Sequence, residues 1–243
     1  MAPKTWFPEV LAGSSVILRR HVAANLAAFR RWYADPEIAR LARYQEAPMR
    51  ADEIERFFAA RVVGTEALAM AIHEASTGRL IGSCAFSQLD ADNGSALYHI
   101  TIGEKDAWGQ GYGTEATRLM LDHAFGTLGL HRIALFVFEF NERAIRAYRR
   151  CGFVIEGRSR ESIWRDGRWW DELAMSVLES DWKRRRPVET EGEMPQGHDG
   201  LVDAVAAEAV GRAVEDGSVP ADPTTAGGSA STGILQRTMR RWR

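Results

Sequence analysis

The sequence predicts an α/β chain of the α+β kind, and three observations predict it. Segments with apolar residues at helical spacing open the chain and recur twice later. Between them lie short β-prone runs separated by clusters of Gly, Asn and Asp, the residues that hairpin turns demand. A strongly apolar run, HRIALFVFEF, then falls between two of the later helices, as a strand buried on both faces does. At 243 residues the chain can bury one sizeable core, and a second full-sized domain would leave both halves small. One domain with an appendage is expected.

Val16-Ile-Leu18 reads as a short strand. NLAAFRRWYADP follows with helical spacing until Pro36 stops it, and PMRADEIERFFAARV forms a second helix with Asp52 near its start. ALAMAIHE, LIGSCAF and SALYHITIG are three strands, joined by STGR and DADNGS. After Gly113 a helix runs to about Phe125, its stripe made by Ala116, Leu119, Met120, His123 and Ala124. HRIALFVFEF comes next. NERAIRAYRRCGF is a compact helix that Asn141 can cap and Gly152 can end in the left-handed region. Two closing strands meet around Asp166-Gly167, the strongest hairpin signal in the chain.

From Pro187 the composition turns to Gly, Pro, Ser, Thr, Ala and acids. This divides the chain into a domain at 1–186 and a mostly disordered tail at 187–243, with a weak amphipathic pattern at 201–214. That pattern suits either a solvated, transient helix or a helix that docks on a partner. The formal net charge of −2 has no single-signed half behind it, so neither DNA nor a membrane surface is indicated as partner. No apolar stretch is long enough for a signal peptide or a spanning helix. Cys84 and Cys151 stand in unrelated contexts and give neither a disulfide framework nor a metal-ligand spacing, so no metal is expected. A cytoplasmic protein fits these features.

The stretch WGQGYGTEA, Trp108 to Ala116, sets three glycines directly before a good helix. A helix N-terminus leaves backbone N–H groups without partners, and its dipole favours negative charge. Glycines let that backbone approach a phosphate. The third glycine comes one position early for a dinucleotide fingerprint, and the Gly-Lys-Ser/Thr of a Walker loop is absent. Glycines that merely turn a strand into a helix would give the same letters.

The segment EKDAWGQGYGTEATRLMLDHAF, followed by NERAIRAYRRCGF and then RDGRWWDELAMSVL, resembles the GCN5-related N-acetyltransferases (GNAT), in particular the RimJ/RimL branch that acetylates protein N-termini and small amines. The likeness runs from about Val16 to Trp182. It implies the GNAT fold: a mixed, mostly antiparallel twisted sheet of about six to seven strands flanked by helices. In that fold acetyl-CoA sits where two central strands splay apart. It further implies that Trp108, Gly109, Gln110, Gly111, Tyr112, Gly113 and Thr114 take the CoA pyrophosphate through backbone amides. Gly111 and Gly113 match the family pattern, while Trp108 stands where the pattern has Gln or Arg. Ile102 and its neighbours on the preceding strand would pair with the pantetheine arm. The segment from Arg43 to Arg50 lies where the family builds its acceptor site.

Asn141 and Tyr148 are seven residues apart on one helix and point the same way. By the resemblance, Asn141 contacts the pantetheine or an adjoining backbone group and Tyr148 protonates the departing thiolate. A plain helix cap and a core aromatic are the alternatives. Acetyl transfer also needs a neutral amine, hence a proton acceptor. His99 comes first because imidazole titrates near neutrality, and Glu104, beside the loop, second; a strand histidine in packing or solvent and a solvated turn carboxylate are the alternatives. A backbone N–H of the splayed strand would stabilise the oxyanion. No cysteine nucleophile is needed, and Cys151 sits at a helix end whose dipole disfavours a thiolate. Trp164, Trp169 and Trp170 flank the last hairpin, where they wall the acceptor cleft or pack the core. Lys183 to Arg186 reads as a solvated face, with contact to acidic RNA or the ribosome as the alternative.

These features imply an acetyl-CoA-dependent N-acetyltransferase acting on a primary amine, a protein N-terminus or a small molecule, by direct transfer in a ternary complex. The alternative is a non-catalytic acyl-CoA-binding or partner-binding module. A homodimer, common in the branch, is not readable from the residues.

Overall fold

The computed structural model describes residues 8–45, 47–63 and 68–185. The expectations for 187–243 lie outside the described residues. In chain order the elements are β1 Val10–Ala12, β2 Val16–Arg20, α1 Leu26–Tyr33, α2 Pro36–Ala42, α3 Ala51–Arg61, β3 Ala69–Glu74, β4 Leu80–Asp90, β5 Ser95–Ile102, α4 Tyr112–Gly126, β6 Arg132–Phe138, α5 Glu142–Cys151, β7 Val154–Arg165, β8 Arg168–Leu178 and α6 Glu179–Arg185. Among the described residues no helix is long and apolar enough to cross a membrane.

Among the described residues eight strands form one sheet in the order β1-β2-β3-β4-β5-β6-β8-β7. Every neighbouring pair is antiparallel except β5 with β6. This is the mixed, mostly antiparallel sheet that the resemblance implies, with one strand more than the expected six or seven. The addition is β1, a three-residue edge strand too short to show an alternation.

Helix α1 ends at Tyr33, ahead of Pro36, and Pro36 also opens a further helix. It occupies the first turn of α2, where its missing N–H costs nothing, and Asp35 caps that turn by accepting from Glu37 N at 2.8 Å and Ile38 N at 3.3 Å. At the other end of the chain the Asp166-Gly167 hairpin forms as expected. Both residues lie in the left-handed region, with φ of 54° and 75°, as a two-residue loop requires.

Strand alternation sorts the helices onto two faces. On β5, Tyr98 reaches α4 through a hydroxyl contact with Thr117 Oγ1 at 3.1 Å, whereas Thr101, of opposite parity, meets Tyr33 of α1. The α4 and α5 side holds the larger core, in which Met120, Leu121, Ile133 and Met175 are at most 1 % exposed. Each such burial contributes about 1.5–3 kcal/mol on transfer scales. A second core joins Phe29, Trp32, Ile54 and Phe58 of α1 and α3 on the opposite face. This second layer does not extend over the whole sheet. Phe136 of β6 is 47 % exposed while Phe138 on the same face is buried, so that strand is fully covered on one face and only partly on the other, short of the expectation from its apolar run.

Candidate active site

The sheet carries a parting at its centre. β5 pairs with β6 only from Ser95 to Leu97, opposite Arg132 to Ala134. Yet β5 continues along β4 to Ile102, and β6 continues along β8 to Phe138. Beyond Leu97 and Ala134 the two strands therefore turn peptide edges toward each other without a ladder between them. Backbone N–H and C=O groups are obligatory hydrogen-bonding groups, so such a wedge is a template for an extended chain carrying amides.

The glycine loop stands at the mouth of the wedge. Gly103 ends β5, donating to Ile81 O at 2.9 Å, and a Cβ there would run into the Trp32 indole. Gly109 and Gly111 have φ of 78° and 89°, and nothing lies within 4 Å of a Cβ built on either. Glycine serves the backbone there rather than relieving a clash. Gly111 is the N-cap of α4 and has no side chain to satisfy the first turn. The N–H groups of Tyr112, Gly113 and Thr114 consequently have no intrahelical acceptor, and the helix dipole points its positive end out. A cleft of about 540 Å³ lies beside them, its lining including Gln110, Gly111, Thr114, Arg118 and Arg150. Glu115, the acid of this first turn, is engaged by Ser14 and Ser15, with Ser14 Oγ at 2.8 Å. An elongated ligand with phosphates at one end and amides along its arm fits this set of donors.

Other loop residues brace it. Trp108 Nε1 donates to Ile102 O at 2.7 Å, and the Arg143 guanidinium stacks 3.8 Å from the indole centroid. Gln110 Nε2 donates to Asp106 O at 2.6 Å, and the Tyr112 hydroxyl to Glu74 Oε1 at 2.7 Å. These three side chains hold the loop and leave its backbone to face a ligand. The Ile102 side chain lies beneath Gly113, 3.5 Å from where a Cβ would sit.

Tyr148 is buried against Phe153 and close enough to Tyr98 to affect its titration. Burial first, and then the neighbouring Cys151 thiol, push the Tyr148 pKa far up, so the hydroxyl keeps its proton at any physiological pH. Tyr98 is the first residue of β5 past the parting, which sets Tyr148 on the α4–α5 side of the wedge.

His99, the next residue, projects from the opposite face. Its Nε2 lies 2.6 Å from Ser87 Oγ. Surrounding protein and, secondarily, the Arg61 charge hold its pKa below the ordinary imidazole value, which keeps the ring neutral near pH 7. If Nε2–H donates to Ser87, Nδ1 remains as the acceptor.

Asn141 is the cap of α5, accepting from Ala144 N at 3.3 Å, and its Nδ2 donates to Leu41 O at 3.4 Å. It thus ties the end of α2 to the far end of β6. Glu104 is not a solvated turn carboxylate. Its Oε1 accepts from Arg31 Nη2 at 2.8 Å and Trp32 Nε1 at 2.9 Å, which fastens the end of β5 to α1. Both cysteines are buried, and burial raises Cys151 to about 11 and Cys84 further, so neither is a ready thiolate. Trp164 and Trp169 are 47 % and 54 % exposed and lie edge to face at 5.2 Å, so they are not core residues. Trp170 donates to Arg165 O at 3.1 Å and packs against Phe140.

Sequence reasoning missed Tyr98, Arg118, Arg150 and Glu172, whereas Tyr44, whose hydroxyl meets the Glu172 carboxylate across 128 positions, lies in the segment from Arg43 to Arg50 where the resemblance sets the acceptor site. Only Tyr98 left a signal, the strand alternation that sets it on one face with Ile100 and Ile102. The others come together through tertiary contacts that no local pattern encodes.

The family model that matches the chain is described as an acetyltransferase (GNAT) domain, over residues 15–154. An uncharacterised N-acetyltransferase of Bacillus licheniformis is 25 % identical over 177 residues, 72 % of this chain and 98 % of the relative. The spermidine N(1)-acetyltransferase of Vibrio cholerae is 29 % identical over 134 residues, 55 % of this chain and 76 % of the relative. The crystal structure of spermidine N-acetyltransferase from Vibrio cholerae in complex with CoA and spermine superposes with a TM-score of 0.62 at 25 % identity, covering 70 % of this chain and 99 % of that one. A GNAT-family acetyltransferase from Bacillus anthracis, at 18 % identity and a TM-score of 0.61, shares the fold over 70 % of this chain and 99 % of its own.

Proposed function

Because the chain belongs to the GNAT acetyltransferase family and is an acetyl-CoA-dependent N-acetyltransferase, we propose that it acetylates a primary amine by direct transfer within the parting of β5 and β6. The parting supports the reading: its unpaired strand edges suit an amide-bearing arm, the glycine loop follows the free end of β5, and His99 lies on the strand that borders it. Acetyl-CoA, when bound, supplies the acetyl group as a thioester. The backbone N–H groups from Gly111 to Thr114 bind its phosphates, with Arg118 and Arg150 adding positive charge nearby. The free edge of β5 pairs with the amide-bearing arm, and one of its N–H groups stabilises negative charge on the acetyl oxygen.

Two side chains divide the proton work. His99 accepts the proton of the incoming ammonium, directly or through water, and Tyr148 holds a proton at its hydroxyl for the departing thiolate. They project from opposite faces of β5, which suits an acceptor entering from the α1–α3 side. Glu104 acts as the clamp at the end of β5.

The acceptor we favour is a small cationic amine of the polyamine class, on the strength of relatives named as spermidine acetyltransferases. The protein N-terminal α-amine, the acceptor of a RimJ/RimL-like enzyme, is the second reading, motivated by the likeness of the loop and hairpin motifs. Incubation with acetyl-CoA and a panel of polyamines, amino acids, aminoglycosides and N-terminal peptides, read by mass spectrometry, separates them. Acetyl-CoA binding without product on any amine would support a binding module and overturn the proposal.

A further inference from the structure

Beside the parting lies a buried carboxylate to which the transfer chemistry assigns no work. Glu172 of β8 pairs in register with Phe138, the last residue of β6, and its side chain shares that face of the sheet with Phe138 and Phe136. Glu172 is 7 % exposed. Among the described residues its side-chain partner is the hydroxyl of Tyr44, which donates to Oε1, and no basic side chain forms an ion pair with it. A buried carboxylate without a counter-charge is costly, and a single neutral donor leaves most of its acceptor capacity unused. Burial accordingly raises the Glu172 pKa, and the Tyr44 hydrogen bond only partly offsets that.

The surroundings are those of a cation site. The Tyr44 ring stands edge-on to Phe138 at 5.4 Å, and Phe138 lies 5.3 Å from Phe140. Aromatic faces here already attract cations: the Arg40 guanidinium sits 4.5 Å from the Phe140 centroid. The segment bearing Tyr44 is held in place, since Arg165 Nη2 donates to Arg43 O at 2.9 Å and to Tyr44 O at 2.6 Å. Tyr44 is nevertheless 51 % exposed and Phe136, on the same face as Glu172, 47 % exposed, so part of the aromatic surface around the carboxylate is open to solvent. Glu172 lies on the strand next to β6, one strand spacing of about 5 Å from the edge of the parting.

We propose that Glu172, with Tyr44 and Phe138, is the recognition point for a second, protonated amine of the acceptor, so that the enzyme selects diamines and polyamines over monoamines. One ammonium supplies the missing counter-charge at Glu172 while the other nitrogen, a few carbons away, is presented at the parting. This rests on the acetyltransferase reading above and adds the determinant of its substrate class.

Steady-state kinetics of the full chain with spermidine and with butylamine test the assignment, using Glu172→Gln and Tyr44→Phe. Loss of a hydrogen-bonded charge raises KM for spermidine roughly 10- to 100-fold in Glu172→Gln, with a smaller rise in Tyr44→Phe. The rise falls on KM far more than on kcat, and the preference for spermidine over butylamine collapses. CoA affinity and melting temperature measured on the same samples show whether each variant is folded; should Glu172→Gln fail there, Tyr44→Phe carries the test. An unchanged spermidine preference in a folded variant overturns the assignment, and so does a wild-type enzyme that acetylates peptide N-termini but not spermidine. Absence of transfer to every amine overturns the acetyltransferase reading itself, a distinct result.

Discussion

Tyr148 and His99 make separable claims at the scale of single residues. Replacing Tyr148 with Phe keeps the ring against Phe153 and removes the proton donor, so kcat should fall by about 10²- to 10⁴-fold while acetyl-CoA affinity stays close to wild type. Equal turnover in the two proteins would take the hydroxyl out of the mechanism. A neutral His99 predicts a definite sign of pH dependence. With its pKa below the ordinary imidazole value, kcat/KM holds at neutral pH and falls as pH drops through that lowered pKa; His99→Ala removes the limb along with most of the rate. A pH profile of both proteins checks this. His21 makes a stability claim instead. Burial first, then the nearby His73 charge, lower its pKa to about 4 against a backbone hydrogen bond at Met70, and its ring lies edge-on to Phe29 at 5.3 Å. The unfolded chain takes up the proton near pH 6.5 and the folded one only near 4, so stability falls across that interval by about 3 kcal/mol. Denaturant unfolding at a series of pH values would show it, and His21→Gln should flatten that slope.

Among the elements, the loop before α4 and the last hairpin were legible in the sequence because each is written in local backbone chemistry. WGQGYG requires left-handed residues, and Gly109 and Gly111 occupy them. Replacing Gly111 with Val places a β-branched side chain at a φ of 89°, which strains the N-cap and should weaken CoA binding at least about tenfold, with a smaller effect on stability. Unchanged CoA affinity by calorimetry would mean the loop is not the cradle. The elements that sequence reasoning missed are those whose signal is tertiary or ambiguous. Pro36 both stops one helix and starts the next, and the stop alone was read. β6 has the composition of a strand covered on both faces, yet Phe136 is open while Phe138, two residues on and on the same face, is buried beside Tyr44. The openness of that face comes from what the neighbouring segments leave uncovered, which a strand's own letters do not record.

At the largest scale, the described residues form one sheet whose two halves diverge at a single parallel junction, with a helical layer on each side. The order of motifs along the chain already implied this architecture, because the glycine loop, the capped helix and the closing hairpin come in the family's sequence. The proposed recognition point for the acceptor was legible only by half for a physical reason: Tyr44 falls in the segment from Arg43 to Arg50 that the resemblance marks, but its partner Glu172 comes from far along the chain and is not an unusual letter where it stands. The account as a whole requires that the parting of β5 and β6 serve acetyl transfer to an amine. Its most direct test is mass-spectrometric detection of acetylated product from acetyl-CoA and the amine panel, with release of free CoA followed in parallel. The expected product is the amide of a primary amine, heavier by one acetyl group, formed in step with CoA and largely abolished in Tyr148→Phe. Release of CoA without any acetylated amine, or product formed equally well without Tyr148 and His99, would contradict it.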